Sequence, residues 1–345
     1  MSNEIKSRIG CVPRNSGFSM EGYWVWGSSV VKGDDGRYHM YASRWSQKKP
    51  FFTTWVTDSE IVHAVADTAV GPYTFSDVAL GKRDARYWDG QSAHNPKIMR
   101  FGDKFILYYM GSTHPFEPFP DGNDPKREGK HMTVGRSNKR VGIAIADNPY
   151  GPWERFDEPI LPTRKNTFYS FLTSNPSPVI HEDGSVILMF KARAATQTQP
   201  GYGKMTIGVA SAKNYLGPYR VVSEEPINLS QELGEIEDPS IWRDDRGYHM
   251  LAKDMDGSLS GEHHGGILCH SANGFDWQLD DDPLGYSRSI TWDDGVKQRL
   301  GQMERVFPLL EEGKLTTLFF AVMDGPGGFD KGSCSWNMAI PLASH

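Results

Sequence analysis

Four short stretches of the sequence hold candidate site residues near the start of a strand, three of them beside a Pro that cannot donate a backbone N–H. They are Trp88-Asp89-Gly90 followed by His94-Asn95-Pro96, then Ser174-Asn175-Pro176, Glu237-Asp238-Pro239 and Glu304-Arg305. Carboxylates and imidazoles of this kind can take or give a proton when two of them converge on one substrate. Glu237 and Asp238 are neighbours at the start of a strand, where successive residues point to opposite faces, so at most one of them can aim squarely into a shared site. Glu237 is the first candidate for catalysis, the alternative being a carboxylate that pins the strand by accepting backbone N–H bonds. Glu304 occupies the matching place further on. Its neighbour Arg305 can hold substrate oxygens in a two-pronged hydrogen bond or form a structural ion pair. Asp89 is the candidate base, against a loop-capping role, and His94 a candidate acid, base or hydroxyl ligand. Asn95, Asn175 and Asp238 either cap strand entrances or bind substrate hydroxyls.

Other chemistries find no support. The sequence has no H-E-x-x-H, no G-K-[ST] phosphate loop and no G-x-S-x-G elbow. His263-His264 looks like a metal pair, but neighbouring strand residues diverge, so a loop role is expected and no metal site. Cys11, Cys269 and Cys334 are far apart and odd in number, which suggests neither a zinc site nor a disulfide framework. A net charge of -6 without a basic stripe argues against nucleic acid as a partner. No apolar run is long enough to cross a bilayer and MSNEIKSRIG has no apolar leader core, so no membrane partner and a cytoplasmic location are expected, or a periplasmic or secreted one if a leader was trimmed.

The elements that must position these residues are short strands. Aromatic residues make up 12% of the 345, with 36 Gly and 22 Pro, a composition that favours strands and tight turns over long helices. A hairpin pattern with an acidic or Gly-containing turn recurs in GDDGRYHMYAS (33–43), HNPKIMRFGDKFILYYMGS (94–112), SNPSPVIHEDGSVILMFKAR (174–193), EDPSIWRDDRGYHMLAKD (237–254) and ERVFPLLEEGKLTTLFFAVMD (304–324). A second element follows the hairpin in AVADTAVGPYTF (64–75), AIADNPYGPWERF (144–156) and GVASAKNYLGPYRVV (208–222), with a decayed copy in CHSANGFDWQL (269–279). Together they make a four-stranded meander repeated at roughly 60–80 residues, the signature of propeller blades rather than of a sandwich. The expected fold is all-β, a five-bladed β-propeller of four-stranded antiparallel blades around an axial funnel. One domain is expected over residues 1–345, with 1–22 as an N-terminal extension or a segment that closes the ring at the last blade.

With Asn-Pro or Asp-Pro at inner strands and Gly-Pro-aromatic turns further out, the chain resembles the five-bladed β-propeller glycoside hydrolases, family 43 and relatives such as 32, 62, 68, 117 and 130, over nearly its whole length from Tyr23. The resemblance implies an axial pocket for an oligosaccharide and, in family 43, an Asp base from the first blade, a pKa-tuning Asp from a middle blade and a Glu acid from the fourth. Glu237, two residues before Pro239, matches the acid. Asn175 stands where the tuning Asp belongs, and WVWGSS (24–29) lacks the Asp of the first blade. Glu237-Asp238-Pro239 is also similar to the Glu-Asp-Pro-Arg signature of family 130, with Ser240 in place of the Arg.

The resemblance therefore implies a glycosidase, exo-acting and inverting, with Glu237 as acid and Asp89 or Glu304 as base. Desolvation and nearby Asp238 and Glu304 are expected to raise the Glu237 pKa. Asp89 and His94 are expected to face one central pocket. Trp26 and Trp88, with Trp24, Trp45 and Trp336 behind them, are candidate floors for a sugar ring; Arg44, Arg136, Arg193 and Lys253 could reach an acidic substrate. No cofactor is expected, although relatives sometimes hold a calcium ion on the axis. The alternatives are a non-catalytic carbohydrate-binding propeller and a family 130-like phosphorylase, which needs several cations converging on a phosphate.

Overall fold

The structure is a computed structural model that describes residues 4–117, 129–229 and 234–343. Five antiparallel sheets follow one another along the chain. Blade one is β1 (Tyr23–Lys32), β2 (Tyr38–Ser46), β3 (Glu60–Ala66) and β4 (Thr74–Leu80); blade two is β5 (Ser92–Phe101), β6 (Lys104–Ser112), β7 (Arg140–Ala146) and β8 (Glu154–Arg155). Blade three is β9 (Leu172–Ile180), β10 (Val186–Arg193), β11 (Thr206–Ala212) and β12 (Arg220–Val221); blade four is β13 (Ile236–Asp244), β14 (Gly247–Asp254), β15 (Gly266–Ser271) and β16 (Gln278–Tyr286). A small hairpin of β17 (Ser289–Thr291) and β18 (Lys297–Arg299) leads into blade five, β19 (Gln302–Glu311), β20 (Lys314–Met323) and β21 (Ser335–Pro341). The repeats thus mark a five-bladed propeller.

The fourth strand of blade five comes from the other end of the chain. Phe18 and Asn337 exchange backbone hydrogen bonds of 2.8 and 2.9 Å, and Ile9 bridges Leu342. Gly17 makes this approach possible. It has φ +70, and a Cβ there would lie 1.8 Å from the Asn337 carbonyl oxygen.

Apolar residues alternate to both faces of the sheets and form a separate core at each junction between blades. Tyr41 and Ile61 of blade one pack with Phe105 and Leu107 of blade two, Tyr108 packs with Phe190 of blade three, and Ile187 with Met250 of blade four. Leu251 meets Leu318 at the next junction, and Phe319 meets Val25 and Val62 where the ring closes. Polar ladders cross blades one and four. Asp35, His39, His63 and Asp77 are joined edge to edge, with ring nitrogens 2.9 Å apart between the histidines. Asp244, His249, His270 and Asp280 repeat the arrangement with 3.0 Å between rings.

Two short helices stand over the mouth of the funnel. Helix α1 (Glu4–Arg8) precedes the ring-closing segment; α2 (Phe51–Asp58) is inserted between β2 and β3, and α3 (Lys130–Ser137) precedes β7. Gly135 of α3 lets Val56 of α2 approach, at 3.1 Å from where a Cβ would sit.

Candidate active site

Each inner strand carries an irregularity at the same level. Gly27, Asn95, Asn175, Asp238 and Arg305 all have positive φ, from 47° to 60°. The strand register shifts around each of them. Gly tolerates this conformation without a Cβ, and Asn and Asp are the side chains that enter it most readily. Pro96, Pro176 and Pro239 follow three of them and lack the N–H that the interrupted ladder leaves without a partner. A bulge re-aims the side chains beside it. The residue before the bulge (Trp26, His94, Glu237 or Glu304) faces the funnel, and the residue at the bulge turns toward the axis below it.

The funnel is a cavity of about 510 Å³. Trp26, Trp45, Phe51, Phe52 and Trp55 line its side on blade one and α2, with Phe329 from the turn before β21. Phe51 and Phe329 stack at 5.1 Å, and Trp26 meets Phe51 edge-on at 4.9 Å. Glu237 and Glu304 lie on the opposite blades, 9% and 2% exposed. Lys191 of β10 donates to Glu237, and Lys253 of β14 donates to Glu304 while its Nζ lies 3.9 Å from the second Glu237 oxygen. Burial pushes the Glu237 pKa up, but the charges of Lys191, Lys253 and Arg305 outweigh it and hold the carboxyl well below its usual range. The expectation of a raised Glu237 pKa is therefore corrected: it considered the neighbouring acids and missed two lysines supplied by second strands.

His94 lines the funnel between Trp55 and Trp45, with ring centroids 5.1 and 5.5 Å away, and its Nδ1 is 2.7 Å from Ser59 Oγ. Burial, with Arg305 and Lys139 nearby, lowers its pKa far below 6.5, so the ring is neutral near pH 7 and suits hydroxyl recognition better than proton donation. Arg305 lines both the funnel and the cavity beneath it.

Asp89 and Trp88 lie elsewhere. Asp89 is fully buried and accepts hydrogen bonds from Arg83 Nε at 2.5 Å and from Tyr109 Oη at 2.8 Å, with Arg155 3.4 Å away. It is not among the funnel's lining residues, which removes it as the base and separates it from His94. Trp88 lies across Gly111 and Gly142, where a Cβ would come within 2.4 and 2.2 Å of its ring, and its Nε1 donates to the Phe156 carbonyl. The Trp-Asp-Gly stretch is thus a structural anchor of blade two. Trp24, Trp336 and Arg44 also lie outside the funnel lining; Arg44 is paired with Glu60. Arg136, Arg193, Lys253 and His264 do line it. His264 stacks on His263 with centroids 3.9 Å apart, so these rings run side by side rather than diverging.

Asn95, Asn175 and Asp238 form the floor. Asn95 Nδ2 donates to Asn175 Oδ1 at 2.9 Å, Asn175 Nδ2 donates to Asp238 Oδ1 at 2.7 Å, and Arg305 donates to the same Asp238 oxygen. These three side chains line a second cavity of about 20 Å³ on the axis, room for one water molecule. The axis does not suit a calcium ion, which takes six to eight oxygens and favours carboxylates. Its single carboxylate is already engaged by Arg305, and the Lys97 ammonium, 2.8 Å from the Val306 carbonyl, occupies the same cavity wall. Among the described residues no group of three or more His, Cys, Asp or Glu could hold a metal.

Sequence reasoning missed Lys139, Lys191, Tyr202 and the aromatic residues of α2. The spacing of Phe51, Phe52, Trp55 and Val56 was the available signal, a helical stripe in a connection too long for a hairpin.

No protein-family model and no curated protein sequence matches the chain. Solved structures do. Zg3597, a family 117 glycoside hydrolase of the marine bacterium Zobellia galactanivorans, superposes with a TM-score of 0.66 at 17% identity, over 97% of this chain and 89% of that one. A structure described only as a glycoside hydrolase gives 0.69 at 11% identity, over 100% and 96%. CoXyl43, a family 43 β-xylosidase/α-arabinofuranosidase from a compost metagenome in complex with xylotriose, gives 0.57 at 16%, over 97% and 96%. The chain has the fold of the five-bladed propeller glycoside hydrolases.

Proposed function

We propose that the protein is a glycosidase that cleaves a glycosidic bond at the end of an oligosaccharide in the axial funnel, with Glu237 and Glu304 as its working carboxylates. The observation that carries this reading is the pair of buried carboxyl groups on adjacent blades, sharing Lys253 and facing an aromatic wall across a sugar-sized cavity. Glycosidic cleavage needs one group to protonate the leaving oxygen and a carboxylate to activate water or to attack. Glu237, held ionised by Lys191, Lys253 and Arg305, fits the second role, the reverse of the acid role expected from its place before Pro239. Of the two funnel carboxyls, Glu304 is then the one left to deliver the proton, from the state in which it carries a proton rather than the ion pair with Lys253. The closed floor of Asn95, Asn175, Asp238 and Arg305 supports an exo-acting enzyme, since a chain can enter only by its end. Inversion follows from the resemblance to family 43, and NMR of the first-formed anomer reads it.

The test is a panel of aryl glycosides with graded leaving groups and of oligosaccharides, run with wild type, Glu237→Gln and Glu304→Gln. Loss of the proton donor lowers turnover of poor leaving groups by roughly 10²–10⁴ and spares good ones. That pattern is expected for Glu304→Gln, and a loss on both kinds for Glu237→Gln. Folded variants that both keep wild-type turnover of a poor-leaving-group substrate return the protein to the non-catalytic, carbohydrate-binding reading.

A further inference from the structure

The charges in the funnel do not cancel. Lys191 is matched by Glu237, Lys253 by Glu304 and Arg305 by Asp238. Lys139 is left over. Its side chain is part of a residue only 3% exposed, it lines the funnel, and among the described residues no hydrogen bond or ion pair holds its ammonium. The ammonium lies over the face of Trp55, 5.0 Å from the ring centroid. Lys139 directly follows the α3 turn, where its backbone N–H bonds the Arg136 carbonyl. Arg136 donates to the Tyr202 hydroxyl at 3.1 Å, and Arg193 lies 4.9 Å over the same Tyr202 ring with one guanidinium nitrogen donating to the Gly203 carbonyl. Lys139, just before β7, and Arg193, at the end of β10, therefore both line the funnel on blades two and three, with Tyr202 beside Arg193.

We propose that Lys139 and Arg193 form an oxyanion subsite, and that the substrate is an oligosaccharide whose sugar bound against α2 carries a carboxylate or sulfate group. The inference rests on the funnel being the substrate site. A buried ammonium without a paired anion is costly, and here burial and the charges of Lys191, Arg136 and Arg305 disfavour its charged form, against a weaker pull from Glu237. A bound oxyanion reverses that cost. Trp55, which also lines the funnel, is the aromatic ring beside the ammonium, so that one sugar unit can meet both.

Isothermal titration with glucuronic acid, galacturonic acid, glucose 6-sulfate, glucose, galactose and inorganic phosphate tests the subsite without depending on turnover. Charge-assisted hydrogen bonds predict a roughly tenfold to hundredfold preference for an acidic sugar over its neutral counterpart. Lys139→Met, which removes a buried charge and keeps the side-chain volume, should abolish that preference, and Arg193→Gln should reduce it, while added salt weakens it in the wild type. Equal binding of acidic and neutral sugars by the wild type, or a preference that survives Lys139→Met in a folded protein, overturns the proposal. Saturable binding of inorganic phosphate with no preference among sugars also overturns it, and moves the anion to a phosphorylase co-substrate. Loss of the preference leaves the Glu237 and Glu304 results untouched, and inactive carboxylates leave the preference untouched, so the two readings fail separately.

Discussion

Lys191 donates to Glu237 across the junction of blades three and four, and the contact is repeated one blade further on by Lys253 and Glu304. Lys191 pairs in register with Ser174, and Lys253 with Glu237, so both lysines occupy the same position of a second strand. Each reaches forward to the carboxylate of the next inner strand. Repetition of the blade thus builds an alternating row of charges, Lys191, Glu237, Lys253 and Glu304, along one side of the funnel.

This row makes Lys253 the keystone of the site's stability. Lys253→Met leaves Glu304 buried without its ammonium, which costs on the order of 3–5 kcal/mol when a buried pair is broken. The double variant Lys253→Met/Glu304→Leu removes both charges and should recover most of that loss. Urea denaturation midpoints at constant m measure both. Simple additivity of the two single changes would refute the pairing.

The aromatic wall should act on binding rather than on chemistry. Trp55 is half-buried, stacks on His94 at 5.1 Å and lines the cavity. Trp55→Ala is expected to raise KM roughly tenfold with little change in kcat, the loss of about 1–1.5 kcal/mol of ring contact. Trp55→Phe should restore most of it. A fall in kcat at unchanged KM would instead make Trp55 part of the proton-transfer arrangement.

Stability should depend on pH through Lys97. Burial lowers its pKa from 10.5 to about 7, with Asp238 opposing and Arg305 adding to the shift. Between about pH 7 and 10.5 the unfolded chain binds a proton that the folded protein does not, so stability rises with pH in that window. Relative to Lys97→Met, the wild type should gain up to about 1.4 kcal/mol per pH unit there and nothing below pH 7. Parallel stability profiles of the two proteins would exclude a titrating Lys97.

The histidine ladder of blade one acts in the same sense at lower pH. Burial lowers the pKa of His39 and of His63, against the pull of Asp35 and Asp77. The unfolded chain therefore takes up protons first, and stability falls as pH drops below about 6.5, the unfolded value. His39→Gln should flatten part of that fall in thermal melts between pH 7 and 5. An unchanged slope would assign acid sensitivity to other groups.

The five hairpins and the Gly-Pro-aromatic turns were legible in the sequence because strand alternation and turn chemistry are local and repeat. So was the place of Glu237 and Glu304, since each directly precedes a bulge residue, Asp238 or Arg305, at the start of an inner strand. What lay beyond the sequence was which side chains meet across blade junctions. Lys191 and Glu237 are 46 residues apart, Lys253 and Glu304 are 51 apart, and nothing local distinguishes these lysines from solvated ones. Asp89 illustrates the reverse: its Trp-Asp-Gly context resembles a site, and only the glycines at 111 and 142, which let Trp88 lie against the sheet, show that it is packed inside blade two. The protonation of Glu237 was likewise decided by tertiary structure, because a carboxyl's charge state depends on every ion within a few ångströms, and closing the ring is what brings those ions together.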